Sequence, residues 1–335
     1  MKILIATGIY PPEVGGPAIY AKEIHDELES RNIEAPVFHY GKLEKSLPPG
    51  LRHLAYAFRL LPHVWHTDAV LAFDTGSTGL PAAILARLFR KKFLVRIGGD
   101  FLWESYVERT GDLVRLSEFY NAKRPLTLKE RLIFKGTKFL LKHSFGTLFT
   151  TSWQRDIWRK AYGFKDERAF IIDNFYPPRE KGDTPDKSFL FVGRVIKLKN
   201  EKKFLSAFET VRMRHPDIFL DGLGARLSRE GYLERVRRCY AVVLPSVSDV
   251  NPNMIIDAVK YGKPFLCTRD SGIHERLKGI GVFVDTLDET ELVRGLETLL
   301  DPVSYRDLQR NIEAFPYVHT WAQITDEIVA SVRRP

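Results

Sequence analysis

Residues 244–264 read Leu244-Pro245-Ser246-Val247-Ser248-Asp249-Val250-Asn251-Pro252-Asn253-Met254-Ile255-Ile256-Asp257-Ala258-Val259-Lys260-Tyr261-Gly262-Lys263-Pro264. The stretch starts at the end of a buried strand and runs through a Pro/Ser/Asn loop into a helix. Gly262-Lys263-Pro264 then turns into the next apolar run, 265–267. Short apolar strands with helical spacers belong to a parallel sheet covered on both faces.

The same alternation extends in both directions. Strand-like runs lie at 2–6, 35–39, 69–73, 93–97, 147–150 and 169–172, with helical patterns at 18–30, 79–89, 128–142 and 153–161. It stops near Asn174-Phe175-Tyr176-Pro177-Pro178, where a polar stretch holds Gly182, Asp183 and Pro185. It restarts with strands at 189–192, 218–220, 242–244, 265–267 and 282–284, and helices at 201–212, 232–239, 254–261 and 289–299. The expectation is an α/β chain of two doubly wound Rossmann-like domains facing across a cleft. These would be residues 1–176 and 188–317, with 177–187 as linker.

The 335 residues suit two domains, and 44% hydrophobic with 28% charged content suits a globular protein. No apolar run approaches the ~20 residues of a bilayer span, and no secretory leader is expected. Cys239 and Cys267 lie in apolar segments and read as buried free thiols of a reducing compartment. The net charge of +9 is uneven: residues 1–176 hold 26 Lys or Arg against 19 Asp or Glu, the remainder 25 against 23. Residues 123–142 carry seven Lys or Arg and one acid, Glu130, interleaved with Leu, Ile and Phe. An anionic partner or a solvated basic helix face fits equally.

Four segments carry candidate chemistry. In 244–264, the helix opening at Asn253, Met254 and Ile255 offers backbone N–H groups that suit phosphate. The flanking Asp249 and Asp257 would repel phosphate and suit sugar hydroxyls; hydroxyls on both sides of a phosphate describe a sugar nucleotide. Gly193-Arg194 and Lys199, after another strand, add a bidentate fork and a point charge for a diphosphate. Tyr10-Pro11-Pro12-Glu13-Val14-Gly15-Gly16-Pro17 is too long for a plain turn, and Gly15 and Gly16 let backbone approach a ligand. Gly98-Gly99-Asp100 ends a strand, with Asp100 either a proton or hydroxyl acceptor or a helix cap. No Asp-x-Asp pair occurs. A metal site is not expected, and the phosphate charge would fall to Arg194, Lys199 and the helix end.

Together these motifs resemble a GT-B glycosyltransferase of the retaining family 4 type, over nearly the whole chain. Gly193, Arg194 and Lys199 match its G-R-x4-K element, and Asp249 and Asp257 align with its E-x7-E element. The resemblance implies that Gly15 and Gly16 lie by donor phosphate and acceptor. Arg194 and Lys199 would meet the diphosphate, Asp249 the transferred sugar, Asp257 the ribose, and Asn253, Met254 and Ile255 phosphate. Asp100 would stand where the family carries a catalytic His. It also implies a C-terminal helix within 318–335 that rejoins the first domain. The reaction would be metal-independent hexosyl transfer with no cofactor, the leaving phosphate taking the acceptor proton. The acceptor would be a glycan, lipid-linked or small molecule. The expected location is cytoplasmic, with peripheral contact to anionic membrane at its inner face; nucleic acid ranks last as partner.

Besides Asp100 in place of that His, the chain departs from the pattern in three places. Both acids are Asp, one C–C bond or ~1.5 Å shorter than Glu. Asn200 follows Lys199 where the family has Gly, and the 224–239 segment is short. Two alternatives therefore stay open: a GT-B sugar-nucleotide epimerase, and a degenerate non-catalytic binding module.

Overall fold

The computed structural model describes the chain except Val14, Pro49, Thr184, Pro185, Arg194, Val195, Arg226 and Pro335. It divides into two compact units. Met1–Leu102, Arg124–Phe175 and His319–Pro335 form the first; Trp103–Lys123 and Tyr176–Val318 form the second.

In the first unit β1 (Ile3–Thr7), β2 (Val37–His39), β3 (Ala69–Ala72), β4 (Lys92–Ile97), β5 (Gly146–Phe149) and β6 (Ala169–Ile171) make one sheet. Its order is β2-β1-β3-β4-β5-β6 and every neighbouring pair is parallel. Its helices are α1 (Gly16–Ser30), α2 (Lys42–Ser46), α3 (Leu51–Trp65), α4 (Gly79–Leu88), α7 (Leu128–His143), α8 (Ser152–Tyr162) and α15 (Trp321–Arg333). Ile3 and Ile5 of β1 share a buried cluster with Ile24 and Leu28 of α1 and with Ile324 and Ile328 of α15. Each such side chain contributes about 1.5–3 kcal/mol on burial. A capping box between Thr320 and Gln323 starts α15. Asp74 fixes the turn into α4, accepting from Gly76 N (2.9 Å) and Thr78 N (3.0 Å). A Cβ at Gly79 would lie 1.8 Å from the Asp74 carbonyl oxygen, so only glycine fits there.

In the second unit β7 (Ser188–Leu190), β8 (Phe219–Asp221), β9 (Ala241–Leu244), β10 (Phe265–Thr268) and β11 (Val282–Val284) pair in parallel as β11-β10-β9-β7-β8. The helices are α6 (Leu116–Phe119), α9 (Glu201–Arg212), α10 (Arg229–Arg238), α11 (Asn253–Lys260), α12 (His274–Leu277), α13 (Glu289–Leu300) and α14 (Pro302–Ala314). α5 (Phe101–Thr110) begins in the first unit and continues in the second. Strand alternation supplies two cores. Val242 and Leu244 join Ile255 and Val259 on one face, while Ala241 and Val243 join Phe204, Phe208, Leu292 and Leu296 on the other. Apolar residues on both faces explain why these strands are near-continuous hydrophobic runs.

Two expected boundaries need correction. Trp103–Lys123, assigned by sequence to the first domain, belongs to the second unit. It is tied there by Lys197 Nζ to Glu108 O (2.8 Å), Leu198 N to a Glu108 carboxylate oxygen (3.1 Å) and Leu116 N to Ser248 Oγ (2.9 Å). Within the expected linker 177–187, Glu180 and Asp183 are hydrogen-bonded to the second unit. Glu180 N donates to Lys260 O (2.8 Å), Asp183 N to Arg237 O (3.0 Å), and the buried Lys263 ammonium to Asp183 O (2.9 Å). Polar composition and turn formers marked that segment as a linker, but backbone groups of Glu180 and Asp183 find partners. Among the described residues no helix is long and apolar enough to cross a membrane.

Candidate functional site

The loop leaving β9 is held from several sides. Val247 N donates to Leu198 O (2.9 Å), Asp249 N to Asp270 O (3.2 Å), and Gly272 N to Asp249 O (3.1 Å). Thr286 Oγ1 donates to Ser246 O (2.9 Å). Ser246, Val247 and Ser248 are buried as a result. Lys199, at the end of a 3-10 turn after β7, reaches this loop. Its Nζ donates to Ser246 Oγ (3.1 Å) and lies 3.5 Å from Asp249 Oδ2; the two side chains are 20% and 24% exposed. An ammonium has three donors, so these two partners leave one for a ligand. A Cβ at Gly193 would stand 3.6 Å from Lys199 Cε, which places Gly193 along the lysine stem. The structure thus brings Gly193, Lys199 and Asp249 together. Arg194 lies outside the described residues.

Asn200 explains one departure from the sequence pattern. It sits at φ 51°, a left-handed conformation that glycine adopts freely and asparagine tolerates better than most residues. Its amide donates to Thr286 O (2.6 Å), which turns the chain from Lys199 into α9.

At the start of α11, Asn253 is exposed and Met254 partly so. Pro252 is the N-cap and supplies no side-chain cap. Ile255 is a correction to the expected set: its N–H already donates to Pro252 O (3.0 Å) and its side chain is buried. Asp257 lies further along α11. Both of its oxygens are held by the guanidinium of Arg229, at 2.7 and 2.8 Å, and the residue is 4% exposed. Burial opposes the charge on Arg229, but hydrogen bonding to Asp257 raises its pKa on balance. Burial, then the Asp257 charge, pushes the Tyr232 hydroxyl well above its ordinary value, so it stays a neutral donor. The exposed side chain at this position is therefore the half-exposed Arg229 rather than the acid. Sequence reading missed Arg229. The Ser228 cap, whose Oγ accepts from Gly231 N (3.1 Å), marks where α10 starts, but nothing local pairs its first residue with Asp257.

The remaining expected residues belong to the first unit. Gly15 is the N-cap of α1 in extended backbone, its carbonyl accepting from Ala18 N (3.1 Å) and Ile19 N (3.2 Å). A Cβ there would come within 2.7 Å of Ile9 Cδ1. Gly16 is exposed at the first position of the helix. Asp100 is 1% exposed and accepts from Trp158 Nε1 (2.8 Å), which braces α8 against the end of β4.

Among the described residues no group of three or more His, Cys, Asp or Glu side chains is placed to hold a metal ion. Cys239 and Cys267 are buried free thiols, and burial pushes Cys239 up to about 12.

No protein-family profile and no curated protein sequence matches the chain. Solved structures do. The chain is similar to sucrose-phosphate synthase from Thermosynechococcus elongatus at 13% identity and TM-score 0.70, covering 99% of this chain and 98% of that one. It is similar to the apo form of the lipopolysaccharide outer core galactosyltransferase WaaB at 16% identity and TM-score 0.62, covering 99% of each. A protein from Listeria monocytogenes, described as a UDP-N-acetylglucosamine 2-epimerase, aligns at 15% identity and TM-score 0.61, over 99% of this chain and 95% of that one. At such identities the likeness is one of fold, and with its two parallel sheets the chain has the GT-B fold.

Proposed function

We infer that the protein is a glycosyltransferase that moves a hexosyl group from a nucleotide-diphosphate sugar to a glycan, lipid-linked or small-molecule hydroxyl, with retention and without a metal. What supports the reading is the Lys199–Asp249 pair, set beside Gly193 where β7 and β9 end. In this reading Lys199, Arg194 and the Asn253–Met254 end of α11 meet the diphosphate, where negative charge develops as the bond to the sugar breaks. Asp249 accepts from hydroxyls of the transferred sugar, and Arg229 with Asp257 faces the nucleoside. The departing phosphate takes the acceptor proton, so the mechanism needs no protein nucleophile.

A thermal-shift screen against UDP-, GDP- and ADP-sugars tests this. A ligand at 100 times its Kd stabilises by about 2.7 kcal/mol, and Lys199→Ala should abolish the shift. No shift with any donor would replace the reading with a non-catalytic GT-B module. Release of free sugar without an acceptor requirement would replace it with the epimerase.

A further inference from the structure

The outer surface of the first unit is unusual along α3, α4 and α7. On α3 the inner line, Tyr56, Leu60 and Val64, is buried, as an amphipathic helix requires. A second apolar line, Leu51, Leu54, Phe58, Leu61 and Trp65, recurs at helical spacing and is exposed, Phe58 by 75%. Single exposed hydrophobics are ordinary, but a helix-length stripe is not. α4 adds exposed Ile84 and Leu88, and α7 adds Leu128 (76%), Leu132 and Phe139. The helices are neighbours. Trp65 meets Phe89 edge-on at 5.0 Å, Arg87 Nη1 donates to His143 Nδ1 (2.7 Å), and His143 lies 4.6 Å from the Phe139 ring.

The charge on this surface has one sign. α3 and α4 contain no Asp or Glu. The one acid of α7, Glu130, is 3% exposed and accepts from Thr127 N (2.8 Å) in a capping box. Arg90, Lys91, Lys129, Lys135, Lys138 and Lys142 make no salt bridge among the described residues.

We propose that α3, α4 and α7 form a face that docks on an anionic phospholipid bilayer without spanning it, the α3 stripe entering the acyl-chain boundary and the lysines and arginines meeting lipid phosphates. Complementarity selects this occupant. A second copy of the chain would bring two cationic faces together. Nucleic acid would match the charge and stack on Phe58 and Trp65, but would leave the aliphatic Leu51, Leu54 and Leu61 in water. A bilayer takes both: α3, about 22 Å long, lies in the interface plane and its apolar stripe is buried at the acyl boundary. The proposal stands apart from the sugar-transfer reading, since none of these residues belongs to the candidate donor site.

Flotation of the full chain with phosphatidylcholine vesicles, with and without phosphatidylglycerol, tests it. The protein should float with the anionic vesicles and be released by high salt. Leu54→Asp/Phe58→Asp should weaken partitioning at least about tenfold. Lys135→Glu/Lys138→Glu should weaken it about fivefold per charge. Melting temperature and any donor-induced shift should stay unchanged in both variants, which separates lost docking from lost folding or lost donor binding. No flotation of the unaltered chain with anionic vesicles overturns the proposal, as does unweakened binding by the Asp variant. Light scattering that shows a dimer converted to monomer by that variant assigns the face to a second copy and overturns it equally.

Discussion

At one end of the 244–264 segment a carboxylate shares a lysine and stays a quarter exposed; at the other a carboxylate is clamped by an arginine fork and is 4% exposed. Asp249 stands on a loop held by backbone hydrogen bonds to Leu198, Asp270 and Gly272, and its side chain stays partly exposed beside Lys199. Asp257 stands in α11, and α10 lays Arg229 across it. Residue type and spacing mark both acids, yet only packing decides which keeps free hydrogen-bonding capacity.

The sharpest way to break this contrast is Lys199→Ala. Once a donor is identified by melting shift, turnover should fall at least about 100-fold, the scale of removing one group that stabilises developing charge. Stability should change by less than about 1 kcal/mol, because the Lys199–Asp249 pair is partly solvated. Unchanged turnover would remove the open end of the comparison.

Arg229→Ala probes the clamped end. It leaves a buried carboxylate without its partner, and chemical denaturation should show a loss of about 2 kcal/mol. That is below the 3–5 kcal/mol of fully buried pairs because the guanidinium is half exposed. Adding Asp257→Asn should recover part of the loss, since the neutral side chain is less costly to bury; strict additivity of the two changes would deny the clamp. A smaller effect, about 1 kcal/mol, is expected for Trp158→Phe, which removes the indole N–H that donates to Asp100. Turnover should be retained, and a large kinetic loss would return Asp100 to the chemistry.

The smallest effect concerns the docked 103–123 segment. Burial pushes the Asp285 carboxyl up, but the Arg115 hydrogen bond and charge outweigh it and hold the group below its ordinary value. A depressed carboxyl contributes stability above its unfolded value near 3.9 and loses it as pH falls through the folded value. The protection factor of the Leu116 amide, corrected for the intrinsic pH dependence of exchange, should therefore fall below about pH 4, by less than about 1 kcal/mol of opening energy. An acid-insensitive protection factor would show that Arg115 does not anchor the segment.

Much of the fold was legible because its signals are local. The runs ending at Leu244 and Cys267 show β-type apolar continuity, and Pro17, Thr320 and the glycines punctuate helices where the chain does turn. The site was legible as far as Gly193, Lys199 and Asp249, which share short loops at strand ends. The reading of Asp100 as either a proton or hydroxyl acceptor or a helix cap left out Trp158, because its position beside Gly98-Gly99 gives no sign of a side chain that packs over it from 58 residues away. The 103–123 excursion was read into the wrong domain because its helices are short and its anchors, Ser248 and Asp285, lie more than 130 residues further on.

By itself the sequence determined the two parallel sheets and the outline of the loop that carries Asp249, because strand and helix periodicity are set within a few residues. The tertiary structure decided which acids stay available and which apolar line of α3 is left in water. Hydrophobic spacing defines the faces of a helix, but only its neighbours determine which face is covered.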